Sequence, residues 1–328
     1  MDWLYKGRTV AVRSAILGPG PCAITFQSAR FDGVDPNWID QQGFAETFFS
    51  KRGLNAIHVL PSHNHWYQAE TEAVVKAITG ATKGRALTTY GSSMGAYASI
   101  RFAPAIGAKR VLALSPQFSI DPEKAPFEQR FTRFFRRDKF VADTFDSAAY
   151  DDIATYVIYG AFDADAEHAR LIAEAVPNSQ LLPIRFGGHP IGPILKESGL
   201  LTSMTLGLVL KGEFDEREFR SVLRATRRQS ANYMRALYQA ARTRRYSRRV
   251  LAIGRAALEI SALNDKLRGD LASRALDAGD LELAKRALSE ADLARIDNKT
   301  RLRLGAKLQR QGAASLAAAV LKDCELAV

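Results

Sequence analysis

Cysteine is almost absent from this chain of 328 residues: Cys22 and Cys324 are the only two. They sit far apart, in what read as different domains. No disulfide framework is expected, and a reducing cytoplasm is the expected compartment. Long hydrophobic runs are missing too. The opening residues, MDWLYKGRTV, hold no apolar core of the signal-peptide kind, and no run of about 20 apolar residues follows. The most apolar late stretch, 191–210, contains Lys196 and Glu197 and reads as a buried helix. Neither a secretion signal nor a membrane span is expected. A third absence is regional. Between Glu218 and Glu259 there is no acidic residue, whereas arginines cluster at Arg242, Arg244, Arg245, Arg248 and Arg249. Residues 1–220 are balanced, with 24 basic and 24 acidic side chains; residues 221–328 hold 22 and 11, the whole net charge of +11. Such a break marks a domain boundary. It leaves two readings for the later region: a solvated helical face, or a docking surface for an acidic protein, a nucleic acid or an anionic lipid.

What is present is 47% hydrophobic and 25% charged, the balance of a globular protein, over a length that suggests two domains. Up to about residue 210, short apolar runs alternate with helical patterns. Strands are expected at 9–15, 22–27, 55–60, 87–90, 110–114, 155–159 and 180–186. Helices are expected at 38–52, from the residues after Gln68 to about Thr79, after Gly95, at 164–176 and at 191–210. This alternation predicts a parallel sheet covered on both faces, with functional groups beyond the carboxyl ends of its strands.

Four strand ends carry chemistry. The sharpest is Leu87 to Ile100, LTTYGSSMGAYASI, in which G-x-S-x-G joins a strand to a helix. A serine on such a turn exposes its hydroxyl; small residues two before and two after relieve the crowding, and the helix aims its first N–H groups at a developing oxyanion. Ser92 lacks small residues at both flanking positions, which leaves Ser93 as the nucleophile. Asp163 lies in a G-x-x-D turn after the next-to-last strand, and His189 in G-G-H after the last. Asp165 is the alternative acid. His168 is the alternative base, but it falls inside a helical run and is expected to face solvent. Ser28, Ala29 and Arg30 follow the second strand.

With these residues in place, the chain resembles the α/β-hydrolase superfamily over about residues 8–212, with the order Ser, Asp, His of that family. The resemblance implies an α/β fold of the α/β-hydrolase type, with a mostly parallel sheet and helices on both faces. It implies a Ser93–Asp163–His189 triad and oxyanion donors from Met94 and from one of Ser28, Ala29 and Arg30. One departure is noted: the family often has a His-Gly or HGGG segment where this chain has Gln27-Ser28-Ala29-Arg30. The activity implied is cleavage of an ester or thioester through an acyl-enzyme, with a peptidase also open. No metal or organic cofactor is implied.

Two further stretches bear on substrate. In His63-Asn64-His65-Trp66-Tyr67, the histidines have no third metal ligand in view. The stretch reads either as a substrate rim, with His63, His65, Trp66 and Tyr67 in contact, or as structural packing and a helix cap. The segment 117–150, where the family usually carries a cap, interleaves Phe127, Phe131, Phe134, Phe135 and Phe140 with Arg130, Arg133, Arg136, Arg137 and Lys139. It reads as an amphipathic cap helix with its phenylalanines inward, or as an acyl-binding wall whose cationic rim, Arg130 included, suits an anionic substrate.

The catalytic domain is expected over 1–213 and an all-α domain over 214–328. In the latter, Ala272, Gly279, Ala284 and Leu288 recur as Gly305, Gly312, Ala317 and Leu321, each shifted by 33. A degraded earlier copy is expected at about 232–263, with Tyr246 in the glycine position. This resembles tetratricopeptide repeats, whose period is about 34, and implies helical hairpins that carry an acidic protein partner or a second subunit. Nucleic acid is not the expected partner. The rival to the enzyme reading is a hydrolase-fold scaffold that acts through these basic helices.

Overall fold

The computed structural model describes residues 1–30, 36–243, 247–322 and 324. The remainder of the expected loop 28–33 lies outside the described residues, as do Arg244, Arg245 and Tyr246. The chain divides into two compact units, 1–220 and 221–328, seven residues beyond the boundary expected from charge and strand pattern.

The first unit is built on eight strands: β1 (Asp2–Lys6), β2 (Val10–Ala15), β3 (Cys22–Phe26), β4 (Ala56–Pro61), β5 (Leu87–Ser92), β6 (Arg110–Leu114), β7 (Ala154–Gly160) and β8 (Ser179–Ile184). Their order across the sheet is β1-β2-β4-β3-β5-β6-β7-β8. β1 and β2 run antiparallel to their neighbours and every later pair is parallel. The central strands are buried along their whole length, as in the all-buried patterns of β3, β4 and β5. That is why they read as unbroken apolar runs rather than as alternation. The α/β-hydrolase type of fold expected from the sequence is the fold observed. β1 was not anticipated; its half-buried edge pattern carries little apolar signal.

The helices of this unit are α1 (Glu46–Ser50), α2 (Thr71–Ala81), α3 (Met94–Phe102), α4 (Ala164–Ala175), α5 (Gly192–Glu197), α6 (Leu200–Leu206) and α7 (Glu216–Thr226), the last crossing the boundary between units. Three expectations are corrected. The helix at 38–52 is one 3₁₀ turn (Trp38–Asp40) and the short α1. Gln41 is extended and Ala45 takes φ +55°, which break the helix between the two pieces, while Glu46 is drawn inward to an ion pair with Arg13 of β2. The helix at 191–210 is broken at Gly199, which adopts φ +73°. The segment 117–150 holds no α-helix, only 3₁₀ turns at Thr132–Phe134 and Ser147–Tyr150. Its phenylalanines do turn inward: Phe131, Phe134, Phe135 and Phe140 pack on the core. The segment also buries charged groups, Glu128 and Asp143. These need partners on the body of the domain, which no amphipathic helix lying on its surface would supply.

The second unit has no proline and, among its described residues, no strand. It consists of α8 (Ala231–Arg242), α9 (Ser247–Glu259), α10 (Asp265–Asp277), α11 (Leu281–Ser289), α12 (Asn298–Arg310) and α13 (Ala314–Leu321). α8 packs on α9, α10 on α11, and α12 on α13. The 33-residue repeat has a physical basis. Gly279 and Gly312 take φ of +77° and +74° at the turn between the helices of their hairpins, a conformation open to glycine at little cost. Side chains of Asn264, Asp280 and Asp297 each accept a backbone N–H in the first turn of α10, α11 and α12. No helix among the described residues is long and apolar enough to cross a membrane.

Candidate active site

The site lies at the carboxyl edge of the sheet. β5 ends at Ser92 and α3 begins at Met94; Ser93 between them adopts φ +54°, ψ −122°. A serine gains nothing locally from such a backbone, and the surroundings must hold it there. They do so through three backbone bonds. Ser93 N–H donates to Leu114 O at 2.8 Å, and Ser93 O accepts from Ala96 N (2.9 Å) and Tyr97 N (3.0 Å). The two small flanking residues are needed because the chain passes so close to itself. A Cβ on Gly91 would collide with the carbonyl of Gly95, and one on Gly95 with the carbonyl of Phe26.

Ser93 Oγ lies 3.0 Å from His189 Nε2, and His189 Nδ1 lies 2.8 and 3.0 Å from the two carboxylate oxygens of Asp165. A carboxylate only accepts hydrogen bonds, so Nδ1 carries the proton and Nε2 is left to accept from the serine hydroxyl. The acid facing His189 is therefore Asp165, not Asp163. Asp163 is the N-cap of α4, and its side chain accepts the backbone N–H of Asp165 at 3.0 Å. The capping requirement of α4 turns Asp163 to the backbone and places Asp165, in the first turn, toward the histidine. Burial raises the Asp163 carboxyl above its ordinary value, and the neighbouring Asp165 charge adds to the effect. Burial pushes Asp165 the same way. It is outweighed by the hydrogen bond and charge of His189 and by the Arg130 guanidinium, and the carboxyl is held below the usual range.

Arg130 stands at the back of this chain rather than on a rim. Its Nη1 is 2.9 Å from Asp165 Oδ1, and its other nitrogens grip Glu128. Glu128 is fully buried and accepts from His168 Nε2 at 2.9 Å, while His168 Nδ1 accepts from Phe118 N at 3.1 Å. Burial opposes the charged form of Glu128, but the His168 and Arg130 hydrogen bonds overcome it and bring the carboxyl down to about 2. His168 was expected to face solvent; it is buried and its ring is bonded to Glu128 and to the Phe118 N–H. A further contact was not anticipated. Gln117 Nε2 donates to Ser93 Oγ at 3.3 Å and to Ser115 O at 3.2 Å. Its only sequence signal was its place, three residues past the end of β6.

Ser28, Ala29 and Arg30 line a cavity of about 110 Å³ over Ser93 and His189. Ser28 Oγ donates to Ser92 O at 2.8 Å. Asn64 clasps the backbone of Arg30 from both sides, accepting from its N–H at 2.8 Å and donating to its carbonyl at 2.6 Å. Tyr67 OH donates to Gln27 O at 2.8 Å. The stretch 63–67 thus braces the loop that carries the expected oxyanion donors, while Met94 opens α3, where N–H groups have no intrahelical partner.

Of the residues expected to touch substrate, His63, His65, Trp66, Tyr67 and Arg130, none lines this cavity. Trp66 and Tyr67 are fully buried. His63 is exposed and bonded to Ser62. His65 bonds Thr9 O, and burial lowers its imidazole to about 4. Among the described residues no group of three or more His, Cys, Asp or Glu side chains is placed to hold a metal. The upper wall comes instead from Phe131, Arg133 and Phe134 of the inserted segment, with Phe131 5.6 Å from the His189 ring.

No family model matches the chain, and no curated protein matches it. Solved structures do resemble it. A predicted CIB-like hydrolase from Thermoplasma acidophilum is 13% identical with a TM-score of 0.38, covering 63% of this chain and 95% of that one. An esterase of Pyrococcus furiosus is 16% identical with a TM-score of 0.40, covering 62% and 87%. A serine hydrolase from the polyaromatic hydrocarbon-degrading bacterium Cycloclasticus zankles is 13% identical with a TM-score of 0.42, covering 66% and 99%. At such identities and scores, nothing about the chemistry of this chain follows from theirs.

Proposed function

We propose that this protein is a serine hydrolase that cleaves an ester or thioester through an acyl-enzyme on Ser93. The observation that carries this reading is the continuous chain from Ser93 Oγ through His189 to the buried Asp165 carboxylate, with links of 3.0 and 2.8 Å. A serine hydroxyl is a weak nucleophile until a base takes its proton. In the first half-reaction, Ser93 Oγ bonds to the carbonyl carbon as His189 Nε2 accepts the hydroxyl proton. The carbonyl oxygen becomes an oxyanion facing the N–H of Met94 and the backbone of 28–30. When the tetrahedral centre collapses, the bond to the leaving oxygen or sulfur breaks and His189 returns the proton to that atom. Water repeats the sequence on the acyl-enzyme, with His189 again as base. The free acid departs and the Ser93 hydroxyl is restored. Asp165 holds the tautomer and stabilises the imidazolium.

The helical unit, with its three packed helix pairs, is a TPR-like array whose excess of basic residues suits an acidic protein partner or a second copy of the chain. Cys22 and Cys324 are both free thiols.

The test is covalent labelling by a fluorophosphonate probe, read by intact mass on the full chain and on Ser93→Ala, His189→Ala and Asp165→Asn. One adduct on the parent, absent in Ser93→Ala and strongly slowed in the other two, is the expected outcome. A folded parent that takes no adduct would leave the hydrolase fold as a scaffold and shift the function to the helical unit.

A further inference from the structure

We propose that the site takes a short acyl group, acetyl to butyryl, carried on an anionic leaving group. This inference rests on the serine-hydrolase reading. Size comes first. The cavity over Ser93 is about 110 Å³. Pockets for drug-sized ligands run from about 300 Å³ upward.

The ceiling that sets this limit is fastened down. Phe131 and Phe134 lie 5.5 and 5.7 Å from the fully buried Trp66 ring. Just before them in the chain, Arg130 is ion-paired to Asp165 and Glu128 is bonded to the buried His168. A long acyl chain could enter only by lifting the segment that also grips the triad acid. Substrate length and triad integrity are thereby linked. A chain that outgrows the cavity loses productive geometry as well as contact.

Charge comes second. No carboxylate lines the cavity among the described residues, whereas Arg30 and Arg133 do. Arg133 stands exposed, with its guanidinium stacked over the Phe134 ring at 4.8 Å. Its neighbours on the segment are engaged elsewhere. Arg137 pairs with Glu123 and Lys139 with Asp138, and Arg136 donates to backbone carbonyls. Arg133 has no ion-pair partner among the described residues. Stacked on an aromatic face at the mouth, it is pre-positioned for a carboxylate, sulfonate or phosphate on the departing group.

The experiment uses the full chain and two substrate series. In p-nitrophenyl acetate, butyrate and octanoate, kcat/KM is expected to fall by about a hundredfold from the short esters to octanoate. Equal or better turnover of octanoate would overturn the size limit. In the second series, the ratio of kcat/KM for p-acetoxybenzenesulfonate to that for p-nitrophenyl acetate is compared between the parent and Arg133 variants. Arg133→Gln is expected to lower that ratio about tenfold through KM, and Arg133→Lys to keep most of it. An unchanged ratio in Arg133→Gln would overturn the anion site. Fluorophosphonate labelling run beside these separates the two levels. Labelling at Ser93 with a profile that favours long or neutral substrates sinks this inference alone, and absence of labelling sinks it together with the hydrolase reading.

Discussion

Arg130 reaches from the inserted segment to within 2.9 Å of Asp165 Oδ1, the same oxygen that lies 3.0 Å from His189 Nδ1. Asp165 is fully buried, so its charge has no water to satisfy it, and the guanidinium supplies the complement that His189 alone would otherwise provide. The inserted segment is in this way part of the support of the Asp165 carboxylate that faces His189. Arg130→Gln is expected to lower kcat by about tenfold to a hundredfold, because small displacements of a catalytic group are costly, with KM nearly unchanged. Arg130→Lys restores part of it. A parallel rise in KM with full kcat would instead place Arg130 in substrate contact.

Asp165→Asn is expected to cost about ten-thousand-fold in kcat, as an amide at that position presents His189 with the wrong partner. Asp163→Asn keeps an N-cap oxygen and is expected to leave turnover within a few-fold, while Asp163→Ala costs about 1 kcal/mol of stability at the head of α4. Steady-state kinetics together with urea unfolding of the three variants decides the assignment. A larger loss of turnover from Asp163→Asn than from Asp165→Asn would reverse it.

Gln117 donates to Ser93 Oγ, the atom that attacks and that gains charge when it leaves the acyl group. At 3.3 Å the bond is longer than a well-made oxyanion contact, so its removal should cost less than the hundredfold or more seen for such donors. Gln117→Leu is expected to slow turnover about tenfold. Burst kinetics with p-nitrophenyl acetate show whether acylation or deacylation bears the loss; a variant with parental rates in both phases would make Gln117 a packing residue.

Glu128 sets an acid-side signature. Its carboxyl sits at about 2 in the folded chain against an ordinary 4.5. A group depressed by folding stabilises the folded state above its unfolded value, and that contribution is lost as pH falls toward the folded one. The window is about pH 5 down to about pH 2, and the linked stability is on the order of 3 kcal/mol. Melting temperatures measured across that window should fall more steeply for the parent than for Glu128→Gln. Parallel curves would show that Glu128 is not the group responsible.

Ser93 and His189 were legible in the sequence because their signals are local. A serine between glycines at a strand-to-helix turn, and a histidine after a last apolar strand, state their positions through chain geometry alone. The acid was not. Asp163 and Asp165 differ by two residues, and which of them faces His189 depends on which one caps α4, a competition settled only once the helix is in place. The stretch 63–67 was legible as interesting and not as a brace, since what Asn64 and Tyr67 hold is backbone 34 and 40 residues earlier in the chain.

The sequence by itself determined the alternation of strands and helices, the turn at Ser93, the histidine at the end of the last strand and the 33-residue spacing of the helical region. Each rests on periodicity or on a backbone conformation that only certain residues adopt. Tertiary structure alone decided that the inserted segment is irregular, that Arg130 is turned inward to Asp165, that His168 is buried against Glu128 and that Gln117 meets Ser93. These are contacts between residues distant in sequence, chosen by the need to pair buried charge and fill space, and no local pattern encodes them.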